Sequence, residues 1–417
     1  MTTRDDLDRT VSPELGRLLS AWFEADAQVR EPEDLLARTL IRTARTRHRP
    51  AWQLPERWLP MQLTMRRFVL PAPARYVVVV AIVLLALALA VVVAGSFHRV
   101  PRPFGPAANG LIPAVAAGDI VTVDPVTGVT KTVVGGTETD SSPFFSRDGT
   151  RIAFVRSLSG GAAVFAVAAS GGDPVRLTPA PLAPVAGIAW SADGSSLAVH
   201  SADVLWIAKT DGSGAVKLDL GDVTVIDMAW RPPNGAELIV AGQQSGVGRL
   251  FAVKPDGSGL RRISSFEGGD GDFQWLSPSP DGTQIAYGTF PSKVLHVVTI
   301  DAELDEVITP DDGVGLNFPR WSPDGTRIAV LHVPEIGQVR LAVIASNDST
   351  PHITLTGPEF GTSGVQFEWA PDGNSIVAVQ WGSDVPWLLD PAGGPGQRMS
   401  WTIPNPDWID WQRLATG

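Results

Sequence analysis

The stretch "WSPDGTRIAV", residues 321–330, decides the fold, because the chain keeps rewriting it. "FSRDGTRIAF" starts at Phe145, "WSADGSSLAV" at Trp190 and "WAPDGNSIVA" at Trp369. Looser copies are "WRPPNGAELIV" from Trp230 and "SPSPDGTQIAY" from Ser277. The turn residues Asp148, Asp193, Asn234, Asp281, Asp324 and Asp372 are spaced by 45, 41, 47, 43 and 48 residues. Each is followed by glycine: Gly149, Gly194, Gly235, Gly282, Gly325 and Gly373. A period in the forties built from short β-runs and turns is the pattern of a β-propeller, with one four-stranded sheet per period.

The motif has a mechanical reading. In "SPDGT" the proline presets φ for the second turn residue and aspartate suits the third. Glycine then takes the left-handed position of a type I turn with a G1 bulge. In "RIAV" the strand alternates, with Ile328 and Val330 on one face, although blades covered on both sides blur such alternation. The aromatics before the turns, Phe145, Trp190, Trp230, Trp321 and Trp369, read as structural wedges between neighbouring sheets.

Blade number follows from the two ends. Six Asp/Asn-Gly motifs give six blades. The run 109–134 reads as second, third and fourth strands with no first strand before them. At the other end "WIDWQRL" places Trp411 42 residues after Trp369, where a seventh pre-turn aromatic belongs, and no second strand follows. A C-terminal strand joined to three N-terminal ones closes a ring of seven. The expectation is therefore an all-β propeller of seven four-stranded blades over residues 108–415, with six blades as the alternative.

"WSPDGTRIAV" together with "DGSGLRRIS" resembles the PD40, or WD40-like, β-propeller repeat. That repeat occurs in the TolB translocation protein and in propeller domains of prolyl-oligopeptidase-type enzymes. The resemblance covers residues 108–415 in six copies and implies a TolB-like propeller.

The 417-residue chain is 44% hydrophobic and 18% charged, enough for a sizeable core. It has no cysteine, which excludes disulfides, zinc–thiolate sites and cysteine nucleophiles. Arginine outnumbers lysine 28 to 5, a bias of GC-rich bacterial genomes. The net charge of −11 is uneven: residues 1–75 carry +3 and the remainder −14. An acidic domain repels a phosphate backbone, so nucleic acid is not an expected partner.

"YVVVVAIVLLALALAVVVAGSF", residues 76–97, carries no charge. At ~1.5 Å per residue it reaches about 33 Å, enough for a bilayer core of roughly 30 Å. Eight arginines between Arg42 and Arg75 precede it, and only Arg99 and Arg102 follow closely. The positive-inside rule then expects a single-pass plasma-membrane protein with a cytoplasmic N-terminus and an extracytoplasmic propeller. The lipid bilayer is the expected partner of 76–97. Residues 51–75 form an arginine- and tryptophan-rich juxtamembrane segment and 98–107 a linker. Residues 1–50 read as a cytoplasmic helical segment. Ser12 and Pro13 start a helix whose Leu15, Leu18, Leu19, Trp22 and Phe23 share one stripe. Its size and place resemble the cytoplasmic module of membrane-bound anti-sigma factors, but the Cys ligands of the zinc-containing version are absent.

No G-x-S-x-G elbow, H-E-x-x-H pair, phosphate loop or dinucleotide fingerprint occurs, so neither a cofactor nor a metal is expected. His200 and His332 follow second strands at equivalent positions, which reads as repeat. Asp270 and Asp272, and Asp311 and Asp312, read as solvated blade connections rather than calcium ligands. Trp381, Trp387 and Trp401 stand outside the repeat position. They are the ligand candidates, with core packing as the expected alternative. The expected function is a non-enzymatic scaffold that binds a protein or envelope ligand on the propeller face and signals to the cytoplasmic helices. The alternatives are a propeller lyase or hydrolase acting on an envelope substrate, betrayed by acids, histidines or arginines converging on one rim, and an anti-sigma-like regulator.

Overall fold

The computed structural model describes residues 104–417 except 180, 203, 265–273, 290–291, 335–337, 362–363, 407 and 417, together with the helical Arg17 and Ala21. The chain divides into two compact units, Met1–Val93 and Ala94–Gly417, and the propeller lies in the second. Among the described residues no helix is long and apolar enough to cross a membrane. The run 76–97, the juxtamembrane segment, most of residues 1–50, and Asp270 and Asp272 lie outside them.

Seven antiparallel sheets make the ring. The innermost strands of blades 1 to 6 are Asp140–Phe145, Val185–Trp190, Val223–Trp230, Gln274–Pro278, Gly315–Trp321 and Val365–Trp369. Each is followed by three further strands, neighbour to neighbour in chain order. The seventh sheet has three strands, Ile112–Ala116, Asp119–Val123 and Thr130–Val134. Its inner side is completed by the C-terminus. Arg413–Leu414 pairs with Ala108–Asn109, the Gly110 amide donates to the Gln412 carbonyl at 2.9 Å, and the Gln412 amide donates to the Leu111 carbonyl at 2.8 Å. Trp411 Nε1 donates to the Gly110 carbonyl at 3.0 Å and is buried. The two ends of the propeller thus replace the hairpin that joins first and second strands in the other six blades.

Four of those six hairpins share one chemistry. In blade 1, Ser146 Oγ donates to Asp148 Oδ1 at 2.5 Å, and the Thr150 amide and hydroxyl donate to the same oxygen at 3.0 and 2.8 Å. The Arg151 amide returns to Ser146 Oγ at 3.0 Å. The same Ser–Asp pair recurs at Ser191–Asp193, Ser279–Asp281 and Ser322–Asp324. Burial pulls these carboxyls upward, but the hydroxyl and amide donors outweigh it, so all four lie below the usual value. The six turn glycines have φ between 63° and 74°, the left-handed conformation that a Cβ disfavours.

The core lies between blades. Ile328 and Val330 pack with blade 4 residues Ala286, Leu295 and Val297, while Ala329 and Leu331 face blade 6 residues Phe367 and Trp369. Both faces of the strand are covered, which is why alternation is weak in the sequence. The pre-turn aromatics Phe145, Trp190, Trp230, Trp321 and Trp369 are all buried. Three of them peg to the preceding blade: Trp190 Nε1 to the Phe144 carbonyl at 3.1 Å, Trp230 to Ala189 at 2.9 Å, and Trp369 to Arg320 at 2.9 Å. Blade 4 adds a buried polar knot. Asp305 accepts from Ser264 Oγ at 2.5 Å and Tyr287 Oη at 2.7 Å, and meets His296 Nδ1 at 2.8 Å. Burial, then the Asp305 charge, drives the Tyr287 hydroxyl far above its ordinary value. The knot ties the blade's second, third and fourth strands and lies away from the central channel.

Candidate functional site: the central channel

The innermost strands surround a cavity of about 590 Å³. Its wall is best read by counting back from each pre-turn position, with Pro278 standing for the aromatic in blade 4. One residue back are Phe144, Ala189, Ala229, Ser277, Arg320, Glu368 and Asp410, and all line the channel. Three residues back are Ser142, Gly187, Asp227, Trp275, Phe318, Gln366 and Trp408, and all line it too. The two sets form stacked rings, the first nearer the hairpin face and the second nearer the opposite face. Period-two alternation brings both to the same side in the unbroken strands, and in blades 1, 4 and 5 a bulge between the two positions turns the second toward the lumen.

Neither ring is uniform. In the first, blades 5, 6 and 7 supply Arg320, Glu368 and Asp410 in succession. Arg320 Nε lies 3.6 Å from Glu368 Oε2. Glu368 is enclosed by protein, yet 29% of its side chain remains open to the lumen. Enclosure raises its carboxyl most, Arg320 lowers it, and neighbouring Asp410 raises it again. Asp410 is also raised by burial, against the Phe145 amide that donates to its Oδ2 at 2.6 Å. Arg147 and Arg413 complete the group toward the hairpin face. Burial, then Arg147, pushes Arg413 down to about 10, against Asp410 and Glu368. The N-terminal approach covers this side: Phe104 lies over the Arg147 guanidinium at 5.1 Å, and Arg413 donates to the Gly105 carbonyl.

In the second ring the backbone is bent. Register shifts fall at Ser141/Phe144, Val225/Asp227, Gln274/Ser277 and Asn317/Arg320. Ser142, Trp275 and Phe318 sit at φ 50°, 58° and 54°. Left-handed conformations are rare for bulky side chains, and bulges re-aim them at functional sites. Trp275 and Phe318 stack with ring centroids 3.4 Å apart. Asp227 spans to the next blade, accepting the Leu276 amide at 2.9 Å, and its own Met228 amide at 2.7 Å. Burial raises Asp227 beyond what those two amides offset. Asp227 and Asp410 therefore have a structural task, satisfying an N–H on the neighbouring blade, besides facing the lumen.

The sequence-derived ligand candidates separate. Trp387 is partly buried against the blade 5–6 core, and Trp401 packs on the blade 7 core against Gly128. Trp381 departs from the expected core packing: it is 49% exposed and lines the channel. Its ring rests on Gly364, where a Cβ would come within 3.2 Å of it. The two histidines are not equivalent, against expectation: His200 stands ten residues after Trp190 and His332 eleven after Trp321, and that one-residue offset puts them on opposite faces of their strands. His332 Nε2 meets Asp312 Oδ2 at 2.7 Å, whereas His200 lines the channel. Asp311 meets His352 Nδ1 at 2.9 Å, so both acids of that connection hold histidines rather than only water. Among the described residues no cluster of His, Asp or Glu could hold a metal ion. The sequence reading missed Asp227, Arg320, Glu368 and Asp410. A signal existed, a charge in an otherwise apolar strand within three residues of the wedge aromatic: "DMAW", "PRW", "EW", "DW".

No protein-family model matches the chain, and no curated protein matches it. Among solved structures, the periplasmic gluconolactonase PpgL of Pseudomonas aeruginosa is similar, with 14% identity, 73% of this chain and 99% of that chain covered, and a TM-score of 0.53. TolB from Acinetobacter baumannii aligns at 16% identity over 73% of this chain and 66% of its own length, with a TM-score of 0.46. At such identities the shared property is the fold, and by its own strands and this likeness the chain is a seven-bladed β-propeller.

Proposed function

We propose that the protein is a single-pass membrane protein that holds its propeller outside the cytoplasm and binds an envelope ligand in the central channel. The uncharged run 76–97 and the arginines before it support the anchor and its orientation. The asymmetric channel wall carries the binding reading: Arg320, Glu368 and Asp410 gather on three consecutive blades below a rim of aromatic rings. Asp410 has its structural bond to the Phe145 amide, but Arg320 and Glu368 add charge on the same side that costs desolvation and that ring closure does not require. The cytoplasmic helices are then in place to receive a signal of occupancy.

The absence of native cysteine makes the test clean. Gln366→Cys places a thiol in the channel and Val126→Cys one on an 86% exposed loop. A membrane-impermeant maleimide added to intact cells should label both, and envelope extract should protect the channel position alone. Equal labelling with and without extract counts against a channel ligand.

A second reading has its own observation. Glu368 and Asp410 are neighbouring carboxyls, both raised, beside Arg320, which is the arrangement of an acid–base pair in a hydrolase. Glucono-δ-lactone, suggested by the name of the similar gluconolactonase, is the first probe. Hydrolysis above the spontaneous rate, abolished by Glu368→Gln, would favour the enzyme over the scaffold.

A further inference from the structure

We infer that the end of the channel away from the turn hairpins is a binding site for a neutral saccharide; this rests on the reading of the channel as the ligand site and names its ligand class. The ring of residues at that end is two-sided. Blades 4, 5 and 7 present Trp275, Phe318 and Trp408, and Trp381 adds a fourth aromatic from the turn just after the second strand of blade 6. Blades 1 to 3 present small or polar residues, Ser142, Gly187 and Asp227. A pyranose has the same division, an apolar C–H face and a rim of hydroxyls.

Two details favour a built site over a leftover gap. Trp381 is held in place, its ring seated on Gly364 and its backbone amide donating to the Gly364 carbonyl at 3.1 Å, while about half of it stays open. The second detail lies across the channel. Gly187 leaves open space, since a Cβ there would meet nothing within 4 Å. His200 pairs with Gly187 in register and lines the cavity. It is 7% exposed, and its Nε2 has no hydrogen-bond partner among the described residues. A buried ring nitrogen left unmet is a standing cost that a ligand hydroxyl can remove.

Charge selects the class. The channel carries three acids, Asp227, Glu368 and Asp410, and three arginines, Arg147, Arg320 and Arg413. Balanced in this way, the wall gives a strongly charged ligand no net attraction. Hydroxyls, which both donate and accept, suit His200, Asp227 and Gln366 together. The volume of about 590 Å³ is of the size found for small-molecule sites.

The test uses the full-length protein in a polyoxyethylene detergent, whose headgroup contains no sugar, on an array of immobilised neutral and charged glycans. Binding should concentrate on neutral glycans. In titrations followed by tryptophan fluorescence, Trp381→Ala and His200→Ala should each weaken binding at least tenfold. Trp381 is exposed, so its variant should melt like the parent. The bound glycan should protect Gln366→Cys from maleimide. If no neutral glycan binds while envelope extract still protects Gln366→Cys, the ligand class is wrong and the channel site stands. If a glycan binds without protecting that position, the sugar sits elsewhere and the channel reading falls with the inference.

Discussion

Ending the chain at Pro406 should break the ring. The lost segment contributes Trp411 and Ile409, 5% and 7% exposed, to the blade 7 core. It also takes away the Gln412 bonds to Gly110, Leu111 and Gly149 and the Asp410 bond to Phe145. Truncating a buried Trp costs ~3–5 kcal/mol, a buried Ile ~2–5, and each of four hydrogen bonds ~0.5–1.5. The combined loss is roughly 7–16 kcal/mol, as large as the whole stability of an ordinary domain. It also strips the pairing from residues 108–111 and uncovers the blade 7 core, and such exposed edges and apolar faces invite aggregation. The assay is a thermal melt with size-exclusion chromatography of full-length and truncated protein in the same detergent, repeated with a synthetic peptide spanning 407–417. The truncated protein should aggregate or melt far lower, and the peptide should restore much of the loss. A silent truncation would refute the closure, because a ring complete in six blades does not need this segment.

Four further outcomes follow from the geometry. Gly282→Ala should destabilise far more than Gly325→Ala: both are left-handed, but a Cβ at Gly282 would lie 1.8 Å from the Pro232 carbonyl oxygen, whereas at Gly325 its nearest neighbour is Pro280 at 3.5 Å. Strain alone should cost Gly325→Ala ~1–3 kcal/mol in chemical denaturation, and equal losses would mean the turns are misread. The turn carboxyls of Asp148, Asp193, Asp281 and Asp324 lie lower folded than unfolded, so their stabilisation is full above the usual carboxylate range and disappears as pH falls through the depressed folded values. Asp148→Asn should flatten that acid limb in melts across pH. Glu368 is raised, so its ionised form opposes folding at neutral pH; Glu368→Gln should raise the melting temperature by about a few °C at pH 7 and lose that advantage in acid. Asp305→Ala should cost on the order of 3 kcal/mol or more, since Ser264 and Tyr287 lose a buried acceptor, and a neutral result in denaturant unfolding would deny the knot its role.

The ring of blades is legible in the sequence because it rests on local chemistry repeated in register. Each S-P-D-G-T turn writes its own hydrogen bonds, and each wedge aromatic stands at a fixed offset from its turn. Even the closing strand could be found, since Trp411 keeps the spacing of the other wedges. The channel was harder to see. Its members come from seven distant stretches, and no two of them form a motif. What brings Arg320, Glu368 and Asp410 to one wall is their common place before Trp321, Trp369 and Trp411, and that matters only once the strands stand side by side. Trp275 and Phe318 meet through bulges that carry no glycine to announce them. His200 and His332 stand one residue apart in the repeat, ten and eleven residues after Trp190 and Trp321, so they take opposite faces of their strands: His332 has Asp312 within reach, while His200 pairs with Gly187 and lines the channel.

The propeller's two ends stand where every other blade has a hairpin. Nothing in the ring therefore dictates which blade comes first in the gene. Joining Leu414 to Ala108 through an S-P-D-G-T loop would give the seventh blade the turn its neighbours already use, and cutting at Asp324–Gly325 would free new ends in blade 5. Such a permuted gene should build the same channel with its entry strand moved two blades around the axis. The segment 104–106 would then no longer lie over Arg147 and Arg413, so the permutation separates what the propeller does from where it is tethered.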